Sequence, residues 1–250
     1  MIFLRRARIR LGSTAEEVVA AAARCNRDAQ AEACTPENFA DELGGPELVV
    51  DSFWLDRTEV SLGQYEHCVR QGRCRALPYE NGAMRFERPE LPAVFVNYQE
   101  AHEYCAQRGA RLPTEAELER AARGPTGRRY PWGEQFHAAL ANHGRWGVSQ
   151  TEPRDGHEEL APVEAYVQGR TPEGVLQLAG NVAEWTSTPY GPYSATEPPD
   201  PSAPRVVRGG HYLTGPAWLR GAARLHEPPH RRAAFLGFRC ARSYRDDSAS

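Results

Sequence analysis

Six cysteines, eight histidines and one buried-looking carboxylate turn carry most of the chemistry this chain could do. In Gly180-Asn181-Val182-Ala183-Glu184-Trp185-Thr186 a carboxylate sits among apolar residues. Such a turn suits an ion or an internal hydrogen-bond network. Calcium takes several oxygen ligands, and Gln177, Gly180, Val182 and Glu184 can offer an amide, two main-chain carbonyls and a carboxylate from one tight turn. His211, His226 and His230 share the C-terminal segment, and a histidine cluster can bind iron or copper. Cysteine positions suggest the pairs Cys25 with Cys34, Cys68 with Cys74 and Cys105 with Cys240, with free thiols as the rival state. All thirty basic residues are Arg, so lysine Schiff-base or general-base chemistry is excluded. No nucleophile elbow, His-Glu-Xaa-Xaa-His or phosphate-binding loop is present.

The elements that must position these groups are legible in the first half. Ser13-Thr14-Ala15-Glu16 reads as a capping box, and the helix after it should end near Arg24. A loop to Leu43 follows, stapled by Cys25 and Cys34, then a strand from Leu48 to Phe53 with Trp54 and Leu55 entering the core. Further helices are expected from Ser61 to Gly72, from Tyr98 to Arg108 with Asn97 as N-cap and Glu100 completing the box, and from Thr114 to Gly124. On the last, Glu115, Glu119 and Arg123 form an i, i+4, i+8 row that should face water. Beyond Gly124, Gly and Pro are frequent, aromatics recur and no helical period persists. That composition implies short strands and long ordered loops, with an exposed loop from Pro189 to Pro204.

Composition bounds the rest. A chain of 250 residues can bury a substantial core, and a net charge of −3 argues against nucleic-acid or anionic-membrane binding. No apolar run approaches a membrane span. Paired cysteines imply an oxidising compartment, the periplasm or outside the cell. Yet Met1-Ile2-Phe3-Leu4 runs straight into Arg5, Arg6, Arg8 and Arg10, with no signal-peptide apolar core. Either a leader lies upstream or the compartment is cytoplasmic. We expect one α+β domain: residues 1–49 as its N-terminal strand, helix and loop, 50–245 as the core and 246–250 as a tail.

The order of several blocks resembles the formylglycine-generating enzyme (sulfatase-modifying factor) family. The resembling stretches are Asp56-Arg57-Thr58-Glu59-Val60 with Tyr65, Cys105 to Gly124, Tyr130-Pro131-Trp132-Gly133, Gly180 to Thr186, Arg205 to Tyr212, and Leu236-Gly237-Phe238-Arg239-Cys240. The resemblance runs from Val50 to Arg242 and is loose before that. It implies a C-type-lectin-like variant fold, a twisted antiparallel sheet with peripheral helices and long ordered loops, and a Cys105–Cys240 disulfide. It also implies calcium at two sites. One is Gln177, Gly180, Val182 and Glu184, with Gln177 where the family has Asn; the other is Asn142, His143, Asp155 and His157, both His giving backbone oxygens.

Family oxidases hold Cu(I) between two cysteine thiolates just after the Gly-Gly turn, because Cu(I) selects soft sulfur. The matching positions here are Thr214 and Leu219, and His211 replaces the family's Ser, so copper is not expected. The sequence therefore suggests a non-catalytic module binding a peptide or other polar ligand, as a monomer. Its cleft would be lined by His211, Tyr212, Thr214, Trp218, Arg220 and Arg224; the blander reading puts Tyr212 and Trp218 in the core and Arg224 in a structural salt bridge. An oxidase with non-standard ligands and a scaffold domain are the alternatives.

Overall fold

The computed structural model describes residues 1–79, 83–193, 200 and 202–244. The tail expected at 246–250, and residues 194–199 and 201 of the loop expected from Pro189 to Pro204, lie outside the described residues. In chain order the regular elements are β1 (Ile2–Leu4), β2 (Ala7–Arg10), α1 (Ala15–Ala29), β3 (Glu47–Val50), β4 (Phe53–Leu55), α2 (Leu62–Arg70), α3 (Tyr98–Gln107), α4 (Glu115–Arg123), β5 (Ala183–Pro189), β6 (Arg205–Arg208), β7 (Leu225–Glu227), β8 (Leu236–Gly237) and β9 (Ala241–Ser243). Short 3-10 turns and long ordered segments join them. None of the described helices is long and apolar enough to cross a membrane.

Among the described residues three small sheets form, ordered β1-β4-β9, β2-β3 and β7-β6-β5-β8. Pairing is antiparallel except between β5 and β8. Placing β4 between the first strand and the last ties both chain ends into one sheet. The main core gathers Tyr65, Val96, Tyr104, Cys105, Trp185, Val207, Phe238 and Cys240 from α2, α3, β5 and the C-terminal segment. Trp185 is fully buried, and its indole N–H donates to the Val96 carbonyl at 3.0 Å, which removes the penalty of enclosing that donor.

Local capping explains the helix starts. Ser61 with Gln64, Asn97 with Glu100 and Thr114 with Glu117 each form reciprocal boxes. The first helix departs from expectation in both bounds. Its N-cap is Thr14 with Glu17, not Ser13, because the Ser13 hydroxyl donates to the Glu42 carboxylate instead. It also runs on to Ala29, and Asn26 holds the loop beyond through the Ala33 and Cys34 amides. The expected strand from Leu48 to Phe53 is two strands, β3 and β4. Trp54 is exposed rather than in the core, stacking on Phe3 at 5.0 Å while Phe53 and Leu55 point inward. All six cysteines form disulfides, paired Cys25–Cys34, Cys68–Cys74 and Cys105–Cys240.

Candidate functional site

The segment after β6 begins with two glycines in left-handed backbone, Gly209 at φ 95° and Gly210 at φ 67°. A Cβ on Gly210 would lie 2.7 Å from the Thr214 hydroxyl and 2.8 Å from the Trp218 carbonyl, so only glycine fits. The turn closes on itself: the His211 amide donates to the Thr214 Oγ1 at 2.8 Å, and that hydroxyl donates to the His211 carbonyl at 2.7 Å. Thr214 and Leu219 are both 0% exposed, and Leu219 packs with Tyr130 and Ala179. At the two positions where the resemblance implies metal-binding thiolates stand an internally bonded hydroxyl and a core isobutyl group.

The remaining residues expected along a cleft lie elsewhere. His211, Tyr212, Thr214, Arg220 and Arg224 are buried, and Trp218 is half-buried. The covering body is the N-terminal arm. Val18, Ala21, Ala22 and the Cys25–Cys34 bridge pack on Ala217, and the Phe39 ring lies tilted against Trp218, centroids 4.9 Å apart. Arg220 donates to both Glu42 oxygens, at 2.8 and 2.6 Å. Where an open cleft is expected after Gly209-Gly210, residues of the first fifty cover Ala217, Trp218 and Arg220. Of the six, Arg224 borders a recess.

That recess, about 290 Å3, lies between the Thr114–Ala116 helix start and the Thr188–Tyr193 segment, with Arg224 in its wall. The Arg224 guanidinium donates to both Glu115 oxygens and lies 4.1 Å from the Tyr193 ring centroid. Tyr190 stacks on His226 at 3.9 Å and donates to Asp41 Oδ2 at 3.2 Å.

Behind it runs a buried ion network. Arg208 pairs with Glu115 and Glu119, and Glu119 also accepts from Arg123 and from the Gly12 amide. The row Glu115, Glu119, Arg123, expected to face water, is thus enclosed. Its charges are matched by residues far away in sequence.

The His cluster does not form a metal set; among the described residues no group of three or more His, Cys, Asp or Glu converges on a possible ion position. His211 is stacked on Phe235 at 4.4 Å, its Nδ1 accepts from the Leu213 amide, and burial depresses its pKa to about 3.

The two oxygen-rich sets differ in their fit to calcium. Both Glu184 oxygens accept from Arg239, each at 2.7 Å, and the same guanidinium takes the Gln177 carbonyl at 3.3 Å. The carboxylate is already neutralised by a cation, and a second, divalent one beside a guanidinium would be repelled. Gln177, Gly180, Val182 and Glu184 therefore do not fit a calcium ion, although the Gln177 Oε1 is left buried without a partner.

Asn142, His143, Asp155 and His157 are brought together. Asp155 accepts from the His143 amide at 2.7 Å and from the His157 amide at 3.0 Å. Asn142 is fully enclosed, its amide N–H groups used by the Glu159 carbonyl and Asn181, and its Oδ1 has no partner. A buried acceptor without a donor is costly, and a cation would satisfy it. This set fits.

Two residues of this region escape sequence reasoning. Asn181, at φ 59°, bridges the sets by accepting from Asn142 and donating to Glu59 Oε1. Glu59 is wholly buried, and burial raises its pKa to about 8 despite opposition from Arg239. A lone acid between Thr58 and Val60 was the available signal.

The family model for the sulfatase-modifying factor enzyme 1-like domain matches residues 9–244. The formylglycine-generating enzyme of Streptomyces coelicolor is 40% identical over 173 residues, covering 62% of this chain and 53% of that protein. The inactive C-alpha-formylglycine-generating enzyme 2 of Mus musculus is 38% identical over 165 residues, covering 63% and 51%. The chain thus spans about half the length of these curated relatives. Among solved structures, PvdO from Pseudomonas aeruginosa superposes with a TM-score of 0.69 at 24% identity, covering 97% of this chain and 93% of that one, a likeness of fold.

Proposed function

Because the chain belongs to the sulfatase-modifying factor enzyme 1-like family, we propose that it is a non-catalytic binding module built on that fold. The observation carrying this reading is the pair Thr214 and Leu219, both enclosed, in a chain whose six cysteines are all in disulfides. The relatives include both a formylglycine-generating enzyme and a protein named as its inactive counterpart, so membership alone does not imply turnover.

The binding surface is the recess beside Arg224. Tyr190 and Tyr193 offer aromatic area with a polar tip, the combination that anchors peptides and other polar ligands. Selecting a displayed random-peptide library on disulfide-intact protein should enrich binders whose affinity falls roughly tenfold or more in Tyr190→Ala. Binders indifferent to that change would place the surface elsewhere and remove this reading of the recess.

We assign calcium to the Asn142, His143, Asp155 and His157 set, where it would pin the 142–157 loop. A ligand bound only by the native state at a hundredfold excess over Kd adds about 2.7 kcal/mol. Chelation should lower the Tm of the wild type and of Glu184→Gln alike, and leave Asp155→Asn unmoved. A chelator response that vanishes in Glu184→Gln but persists in Asp155→Asn would reverse the assignment. The three disulfides favour an oxidising compartment, the periplasm or outside the cell.

A further inference from the structure

We propose that the groove between α2 and α3 is a second binding site, separate from the recess beside Arg224, and that it takes an extended acidic peptide segment. The groove encloses about 580 Å3 and is lined by residues that include His67, Arg70, Arg73, Gln107 and Arg108 over a floor of Tyr104, with no carboxylate among its lining residues. In a chain with more acidic than basic residues, that segregation is a local positive field. The groove meets a second hollow of about 460 Å3 at the end of α3, lined by Gly109 to Arg111, Arg242 and Ser243 and likewise without an acid. The two are tied by the Arg242 guanidinium, which donates to the Arg108 carbonyl at 3.1 Å.

Cations at helix C-termini often do no more than complement the dipole. That accounts for Arg70 and Arg108, which close α2 and α3 and are already partnered, Arg70 by Glu66 at 3.6 Å and Arg108 by both Asp56 oxygens at 2.8 and 3.0 Å. It does not account for Arg73 and Arg242. Arg73 lies beyond the end of α2 and Arg242 in β9; both are exposed, and neither forms an ion pair among the described residues. Arg73 is held where it is. Gly72 turns the chain at φ 68°, the Arg73 amide donates to the Cys68 carbonyl, and the Cys68–Cys74 disulfide locks the turn. With the backbone fixed in this way, binding has only the exposed Arg73 side chain to order.

The amide side chain of Gln107 has no partner among the described residues, and a Gln amide presents a carbonyl beside an N–H pair. It can therefore pair with a peptide unit through both groups, while Arg73 and Arg242 take carboxylates on either side. A saccharide polyanion could use the arginines, and its hydroxyls could bond to Gln107 as well, but it lacks the carbonyl and N–H of a peptide backbone that would meet both groups of the amide.

The test uses the full, disulfide-intact chain and fluorescence anisotropy with a labelled peptide of alternating Glu and Ser, its Lys and Ser counterpart, and a sulfated oligosaccharide as competitor. The acidic peptide should bind, the basic one should not. Arg73→Glu with Arg242→Glu should weaken binding roughly tenfold or more and flatten its salt dependence, and Gln107→Leu should weaken the peptide more than it weakens the oligosaccharide. Tyr190→Ala should change nothing here, so failure at this groove and failure at the recess are separable. Equal binding of the two peptides, or indifference to the double reversal, would overturn the proposal. An oligosaccharide that binds more tightly than the peptide, with Gln107→Leu harmless to both, would overturn the peptide assignment.

Discussion

Replacing Glu184 by Gln should destabilise the protein by roughly 3–5 kcal/mol, the cost of leaving a buried charge without its partner. Arg239 is 0% exposed and Glu184 2%, so no water can replace the lost carboxylate. The guanidinium also donates to the carbonyls of Asp56, Arg57, Leu176 and Gln177, drawing the chain before α2, the turn before β5 and the last strands onto one cation. A compensating Arg239→Met should recover only part of the loss, because those carbonyls would then lack a donor. For a domain of this size the single change corresponds to a Tm lower by about 6–20 °C. Thermal unfolding in calcium and in chelator decides the matter. A loss below ~1 kcal/mol would mean that Arg239 finds another partner and is not the hub described.

Removing the Cys105–Cys240 disulfide as a Cys105→Ser, Cys240→Ser pair should cost about 3–5 kcal/mol, because the bridge closes a sequence separation of 135 residues. It joins α3 to the chain entering β9, next to the Cys240 amide that donates to Asp56 Oδ2 at 3.1 Å. Since β9 pairs with β4, loosening it should also expose the β1-β4-β9 sheet. Hydrogen exchange would show this as lost protection at Ala241 and Phe53 before global unfolding. Loss of the Cys68–Cys74 bridge closes a far shorter loop and should cost less. An equal cost for both would argue that native-state strain, not loop closure, sets their value.

What the sequence could reveal was local. The boxes at Asn97 and Thr114 need only residues three apart, and the helix starts at Ser61, Asn97 and Thr114 were legible. Trp54 was misread although strand alternation could have placed it: adjacent Trp54 and Leu55 cannot face one side of β4.

The larger departures share a cause. Glu115, Glu119 and Arg123 fit a solvated helix face until Arg208 and Arg224 arrive from about a hundred residues away. Glu184 reads as a metal ligand until Arg239 takes both its oxygens. Helical period reports burial only when the buried side is apolar, and a face buried by distant arginines looks like a wet one. The cleft failed for the same reason: nothing local in Ser13, Phe39 or Glu42 says that they cover Trp218 and Arg220.

The central claim is that the fold persists here without its thiolate copper centre, and one measurement addresses it most directly. Copper-loaded protein is incubated under oxygen with a cysteine-containing sulfatase-motif peptide, and the peptide mass is read for the aldehyde product. Cu(I) capture requires two thiolates; the Thr214 hydroxyl is a hard donor already bonded within its turn, and Leu219 has no donor at all. The account predicts no aldehyde above the peptide-only control and no stoichiometric copper retained after desalting. Aldehyde formed in a copper-dependent way by the wild-type chain would contradict it, and with it the reading of this protein as a binding module.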